Sequence, residues 1–171
     1  MPTLYLDIES YSPLDLREAG TYRYAENAIV LLLTYCVDDG PVYCYDYYQG
    51  HAAPDLGAYV RDNPGMVVKA HNAMFDRNVL RLGDLGIDIP VERWECTMVK
   101  ALQHALPGSL DQLGRVLGLS DDQQKQSDGK KLIQRFCKPA PRNHKADYYD
   151  PTTHPDEWRR FREYAIQDTA T

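Results

Sequence analysis

Asp7 and Glu9 stand two residues apart in the apolar run Leu4-Tyr5-Leu6-Asp7-Ile8-Glu9-Ser10. In a strand, residues i and i+2 face the same side, so two carboxylates project together from one extended segment. Like charges this close are unfavourable unless something neutralises them. Hard divalent cations such as Mg²⁺ are bound by carboxylate oxygens, which makes the pair a candidate metal site. The pair reads equally as a solvated strand face carrying two charges.

Two later segments supply more acids. Ala70-His71-Asn72-Ala73-Met74-Phe75-Asp76 follows a short apolar strand and sets Asp76 in the first turn of the next helix. Ligand clefts of α/β sheets lie at strand carboxyl ends, although an Asp in a first turn also simply offsets the helix dipole. In Tyr164-Ala165-Ile166-Gln167-Asp168, the tyrosine and the second acid are four residues apart and share one helical face, a spacing common to ordinary surface pairs.

The elements that must carry these residues follow from periodicity and turn signals. Residues 3–8 read as a strand and residues 10–26 as an irregular, partly packed loop. Residues 28–37 form a strongly apolar strand, Asp38-Asp39-Gly40-Pro41 turns it, and residues 42–48 run back as a hairpin. A helix is predicted over 53–61, with Pro54 in its first turn, and a buried strand over 66–70. The amphipathic stretch 72–85 places Phe75, Val79, Leu80 and Leu82 on one side, with Gly86 as its stop. Residues 94–96 read as a strand and 97–105, 109–117, 129–136 and 156–168 as helices, with Ser109 an N-cap and Gly118 just past a helix end. Residues 139–155 form a long polar loop. Strands first, then alternating elements and helices, imply an α/β fold: a mixed sheet with three N-terminal antiparallel strands, flanked by helices, in one domain over 1–171.

Composition narrows the function classes. With 171 residues, 43% hydrophobic and 26% charged, the chain has the make-up of a globular domain with a sizeable core. No apolar stretch reaches membrane-spanning length and no secretory signal is visible, so a cytoplasmic protein without membrane partners is expected. Cys36, Cys44, Cys96 and Cys137 show no CxxC or zinc spacing and read as reduced, packed thiols. A net charge of −6 argues against a general nucleic-acid coat protein. It does not exclude a nuclease, because Lys125, Lys130, Lys131, Arg135, Lys138, Arg142 and Lys145, opposed only by Asp128, give one stretch a local charge of +6. The same stretch also fits a solvated helix face and loop.

DxE on a first strand, HNxxFD after a later strand and YxxxD on a last helix form a composite that resembles the DEDD superfamily of 3′–5′ exonucleases. This is the DnaQ-like group within the ribonuclease H-like fold. The three pieces match its exo I, exo II and exo III motifs and span Leu4 to Asp168. Tyr164 matches the tyrosine subclass, which includes the proofreading domains of family A and family B DNA polymerases and ribonuclease D-like RNases. Residues 15–26 and 129–137, with Thr153-His154-Pro155 and Trp158, look like phage and prophage family A polymerases. The chain ends three residues after Asp168, so the resemblance implies an excised exonuclease domain or a small stand-alone nuclease rather than a whole polymerase.

That resemblance implies two divalent ions, Mg²⁺ or Mn²⁺, about 3.5–4 Å apart, held by Asp7, Glu9, Asp76 and Asp168. Asp7 would bridge them, Glu9 and Asp168 would complete the nucleophile-side ion, and Asp76 would act on the second largely through water. Tyr164, with an unperturbed pKa near 10, would orient the attacking water as a neutral phenol. Asn72 and the backbone around Ile8 and Ser10 are the candidates for the terminal sugar, and Lys130, Lys131 and Arg135 for backbone phosphates. Phe75 and Leu80 read as core, although an aromatic beside the site also suits base stacking. The expected substrate is a single-stranded or frayed DNA 3′ end, with a DNA polymerase domain or replication protein as partner. The alternatives are RNA trimming, as in ribonuclease D-like enzymes, and a non-catalytic domain that binds nucleic acid or a partner.

Overall fold

Leu4, Leu6 and Ile8 alternate with Tyr5, Asp7 and Glu9 along the first strand, and all three apolar side chains are buried. The computed structural model, which describes residues 1–119, 129–141, 143 and 147–170, places this strand, β1 (Thr3–Tyr11), at the centre of a five-stranded mixed sheet. β2 (Ile29–Val37) pairs antiparallel with β1, and β3 (Tyr43–Asp46) antiparallel with β2. On the other side, β4 (Val67–Ala70) and β5 (Trp94–Cys96) run parallel to β1, giving the order β3-β2-β1-β4-β5. This is the mixed α/β architecture, with three antiparallel N-terminal strands, that the sequence implied.

Helices cover both faces. Leu4, Leu6, Ile8, Val30 and Leu33 pack beneath α1 (Leu16–Glu26), α2 (Leu56–Asp62) and α3 (Ala73–Leu82), with Tyr24, Val60, Val79 and Leu80 closing that core. On the opposite face Leu31 and Leu32 pack under α6 (Gly129–Phe136) and α7 (Pro155–Ala170), against Leu132, Phe136, Trp158, Phe161 and Tyr164. Adjacent Leu31 and Leu32 share a face because the β1–β2 register shifts between Glu9 and Ser10. Such a bulge sets two residues of one strand opposite one of the other. Two short helices, α4 (Thr97–Gln103) and α5 (Leu110–Val116), follow β5.

Several predicted boundaries move. The stretch 10–26 is not an irregular loop: β1 continues to Tyr11, and α1 begins at Leu16, with the Asp15 carboxylate accepting from the amides of Arg17 and Glu18. Gly20, at φ 74°, kinks α1, which breaks the apolar periodicity that would have marked it as a helix. α2 starts after Asp55, whose side chain caps it, and not around Pro54. α3 ends at Gly83 rather than at Gly86. A Cβ at Gly83 would meet the carbonyl oxygens of Val79 at 2.6 Å and Ala28 at 3.0 Å, so the chain there needs glycine. β3 is shorter than predicted because Asp46 caps a 3₁₀ turn, Tyr47–Gln49. Ser109 precedes α5 but makes no side-chain cap bond. Of the basic stretch, Lys125, Asp128, Arg142 and Lys145 lie outside the described residues. Among the described residues no helix is long and apolar enough to cross a membrane.

Candidate active site

β1 pairs with β4 only from Thr3 to Tyr5. Beyond Tyr5 the parallel ladder stops, β4 ends at Ala70 and the chain turns into α3. Asp7 and Glu9 therefore lie past the carboxyl edge of the parallel strands, where α/β sheets open clefts. Their backbone is fixed from the other side by β2, through the pairs Asp7–Thr34 and Glu9–Leu32. Thr34 then ties this edge to the last helix. Its Oγ1 lies 3.2 Å from the carbonyl of Ala165 and 2.6 Å from Oγ1 of Thr169, so α7 is seated one turn from Asp168.

The carboxylates of Asp7, Glu9 and Asp168 meet in this cleft: one oxygen of each lies within 4.8 Å of the others. Asp7 and Asp168 are half-buried, and Glu9 is only 7% exposed. Asp76 stands outside that trio but close enough to feel it. It is 2% exposed, and burial, then the charge of Asp7, with a smaller push from Glu9, raises its carboxyl well above the usual range. Its own backbone amide, in the first turn of α3, works in the opposite direction. Four acids from β1, α3 and α7 thus converge, and the sequence-derived set is brought together with Asp76 at its edge.

Tyr164 is fully buried beside them. Burial, followed by the charges of Glu9 and Asp168, holds its phenol far above the ordinary tyrosine value. The group is a neutral hydroxyl, suited to hydrogen bonding and not to taking a proton. Gly129, the first residue of α6, lies directly against its ring.

The donor set fits divalent cations. It consists of hard carboxylate oxygens, and burial beside other acids disfavours the ionised form of Asp76 unless a cation offsets the charge. Cavities flank it on both sides. One of about 490 Å³ borders Glu9 and is lined by Ser10, Leu14, Tyr24, Phe75 and Cys137. A smaller one of about 150 Å³ touches Asp7, Asp168, Lys69, His71 and Thr97. His71 itself is occupied, with Nδ1 3.0 Å from Thr97 Oγ1 and Nε2 2.8 Å from the carbonyl of Gly108.

The predicted substrate contacts fare unevenly. Ile8 and Ser10 line the larger cavity, but the Ser10 carbonyl already accepts from the Tyr24 hydroxyl at 3.0 Å. Asn72 is exposed, at φ 73°, at the start of α3. Lys130 and Lys131 are exposed on α6, and Arg135 has Nη1 2.7 Å from Glu157 and its guanidinium 5.3 Å from the Tyr149 ring centre. Leu80 is core, as expected, but Phe75 is half-buried and faces the cavity. The sequence reading missed Cys137, whose buried thiol donates to Glu9 Oε2 at 3.5 Å. Burial, then the charge of Glu9, pushes that thiol well up and keeps it protonated. It also missed Tyr24, a consequence of reading α1 as loop.

No protein-family model matches the chain. A DNA polymerase of Bacillus phage SP02 is 36% identical over 173 residues, which takes in 98% of this chain. The chain is similar to a segment of a phage DNA polymerase. It spans about a quarter of that relative's length, 26%. Among solved structures, the family B DNA polymerase of the hyperthermophilic archaeon Pyrobaculum calidifontis superposes on 99% of the chain and 24% of its own, with TM-score 0.56 and 14% identity. That likeness is one of fold. A nuclease in its apo form aligns over 98% of the chain and 66% of its own, with 18% identity and TM-score 0.48, too distant to bear on function.

Proposed function

We propose that this chain is a metal-dependent 3′–5′ exonuclease that hydrolyses phosphodiester bonds at single-stranded or frayed DNA ends. The observation that carries the reading is the convergence of Asp7, Glu9 and Asp168 within 4.8 Å at the open end of β1, with buried Asp76 beside them. Similarity to a phage DNA polymerase favours DNA over RNA and a proofreading-type role, in a polymerase-linked or free-standing form.

Asp7, Glu9, Asp76 and Asp168 would hold two Mg²⁺ or Mn²⁺ ions. Such ions supply an activated water and stabilisation of the leaving oxygen. The protein's own share is positional. β1 fixes Asp7 and Glu9 through the β2 ladder, Thr34 fixes α7, and α7 delivers Asp168 and Tyr164 together. The neutral Tyr164 hydroxyl donates a hydrogen bond and orients the attacking water. The cavity beside Glu9 receives the terminal nucleotide, with Phe75 offering an aromatic face to its base.

The test is degradation of oligonucleotides labelled at either end, with Mg²⁺ or Mn²⁺ and with EDTA, using matched DNA and RNA strands. Stepwise shortening from the 3′ end of DNA, abolished by EDTA, is expected. Shortening from the 5′ end would reverse the polarity. Faster loss of RNA would turn the assignment towards an exoribonuclease, and binding without shortening towards a non-catalytic domain.

A further inference from the structure

We propose that Lys138 positions the substrate strand and is held by Asp15 until a phosphodiester takes the carboxylate's place. This rests on the exonuclease reading and adds the course of the strand away from the cleft. Two cavities meet at Lys138 and Pro139, which line both. The first, about 490 Å³, borders Glu9 and has Leu14, Phe75 and Ile133 among its walls. The second, about 570 Å³, opens beside α6 and is lined by Lys131, Gln134 and Arg135. A partly apolar chamber with an aromatic wall suits a base, and a basic trough suits the phosphates that follow it. Lys138 stands at the junction, where the first phosphates behind the terminal nucleotide must pass.

Its present partner is weakly held. Lys138 Nζ is 3.9 Å from Asp15 Oδ2, with side chains 56% and 43% exposed. Surface pairs of this kind contribute little and exchange readily. A phosphodiester carries the same single negative charge as the carboxylate, spread likewise over two terminal oxygens that accept from an ammonium group. Asp15 stays in place meanwhile, because its Oδ1 accepts from the Arg17 amide at 2.8 Å and caps α1. Arg135, another cation of this wall, is bound more closely, at 2.7 Å to Glu157.

The experiment measures binding of a short single-stranded oligothymidylate by fluorescence anisotropy in Ca²⁺ buffer, over a series of salt concentrations. Lys138→Ala is expected to weaken binding several-fold at low salt and to flatten the log Kd against log salt slope by about 0.7, the value for one phosphate on a single strand. Lys138→Arg should restore the slope. Asp15→Asn, which keeps the cap and removes the charge, should tighten binding. An unchanged slope in Lys138→Ala, or equal weakening by Asp15→Asn, overturns the proposal. Absence of metal-dependent trimming by the wild-type protein would refute the exonuclease reading, while the slope comparison would still decide Lys138.

Discussion

The ring of Tyr164 lies against Gly129, with no room between them for a side chain: a Cβ at position 129 would stand 2.6 Å from Cδ2 of the ring. The first residue of α6 is thus the seat of the phenol on α7. Alanine inside a helix is ordinarily favoured over glycine by about 1 kcal/mol, but forcing a methyl into a filled space costs about 1–3 kcal/mol. Gly129→Ala should leave the protein folded and displace Tyr164. A misplacement of about 1 Å can cost about a hundredfold in rate. Trimming rate and thermal unfolding, measured on the same sample, check this. Unchanged activity would mean that α6 yields instead of the tyrosine.

Tyr164 and Asp7 are expected to differ in weight. Tyr164→Phe removes one hydrogen bond from a hydroxyl that burial, Glu9 and Asp168 keep neutral. Asp7→Ala removes a metal-binding carboxylate and should cost about 10³-fold or more. Single-turnover rates in Mn²⁺ compare the two. Equal and complete loss in both would assign Tyr164 a proton-transfer role.

Asp76 gives a stability test with a defined sign. In the metal-free fold, burial and then the charge of Asp7 raise its carboxyl above the unfolded value of 3.8. The folded state therefore favours the protonated form. That contribution to stability is fully present below the unfolded value and is lost as pH rises through the raised folded value. Asp76→Asn should therefore raise the melting temperature in EDTA at pH 7 and change it little at pH 3. Added Mg²⁺ should stabilise the wild type more than the variant. Differential scanning fluorimetry with and without EDTA reads both effects.

Asp46 supports the site from behind. Its Oδ2 accepts from Trp158 Nε1 at 3.0 Å and lies 3.3 Å from Arg162 Nε, while Oδ1 accepts from the Tyr48 amide at 3.0 Å. It is buried, at the end of β3, and its side-chain partners Trp158 and Arg162 are on α7. Asp46→Ala strands a half-buried guanidinium and an indole N–H, which should cost about 3–5 kcal/mol. Urea unfolding measures it, and activity should fall with the loosened α7.

Much of this was legible in the chain itself. Alternation around Asp7 and Glu9 located the central strand and the shared side of its two acids, because strand geometry fixes that relation locally. The apolar run after Ala28 and the Asp38–Pro41 turn gave the hairpin for the same reason. α1 was illegible because Gly20 interrupts its periodicity. The ends of α2 and α3 shifted because caps and close backbone contacts, rather than the nearest proline or glycine, set them.

The sequence by itself determined which residues are acids, their spacing, and the strand or helix face each occupies, since these depend on local geometry. Tertiary structure alone decided that β1 outruns its parallel partner at Tyr5, that Thr34 pins α7 beside Asp7, and that Glu9 receives the thiol of Cys137. It also put Gly129 on Tyr164 and joined Lys138 to Asp15 across two cavities. Those relations link residues up to 135 positions apart. They follow from which helices fill each face of the sheet, and packing of that range leaves no periodicity in the chain to read.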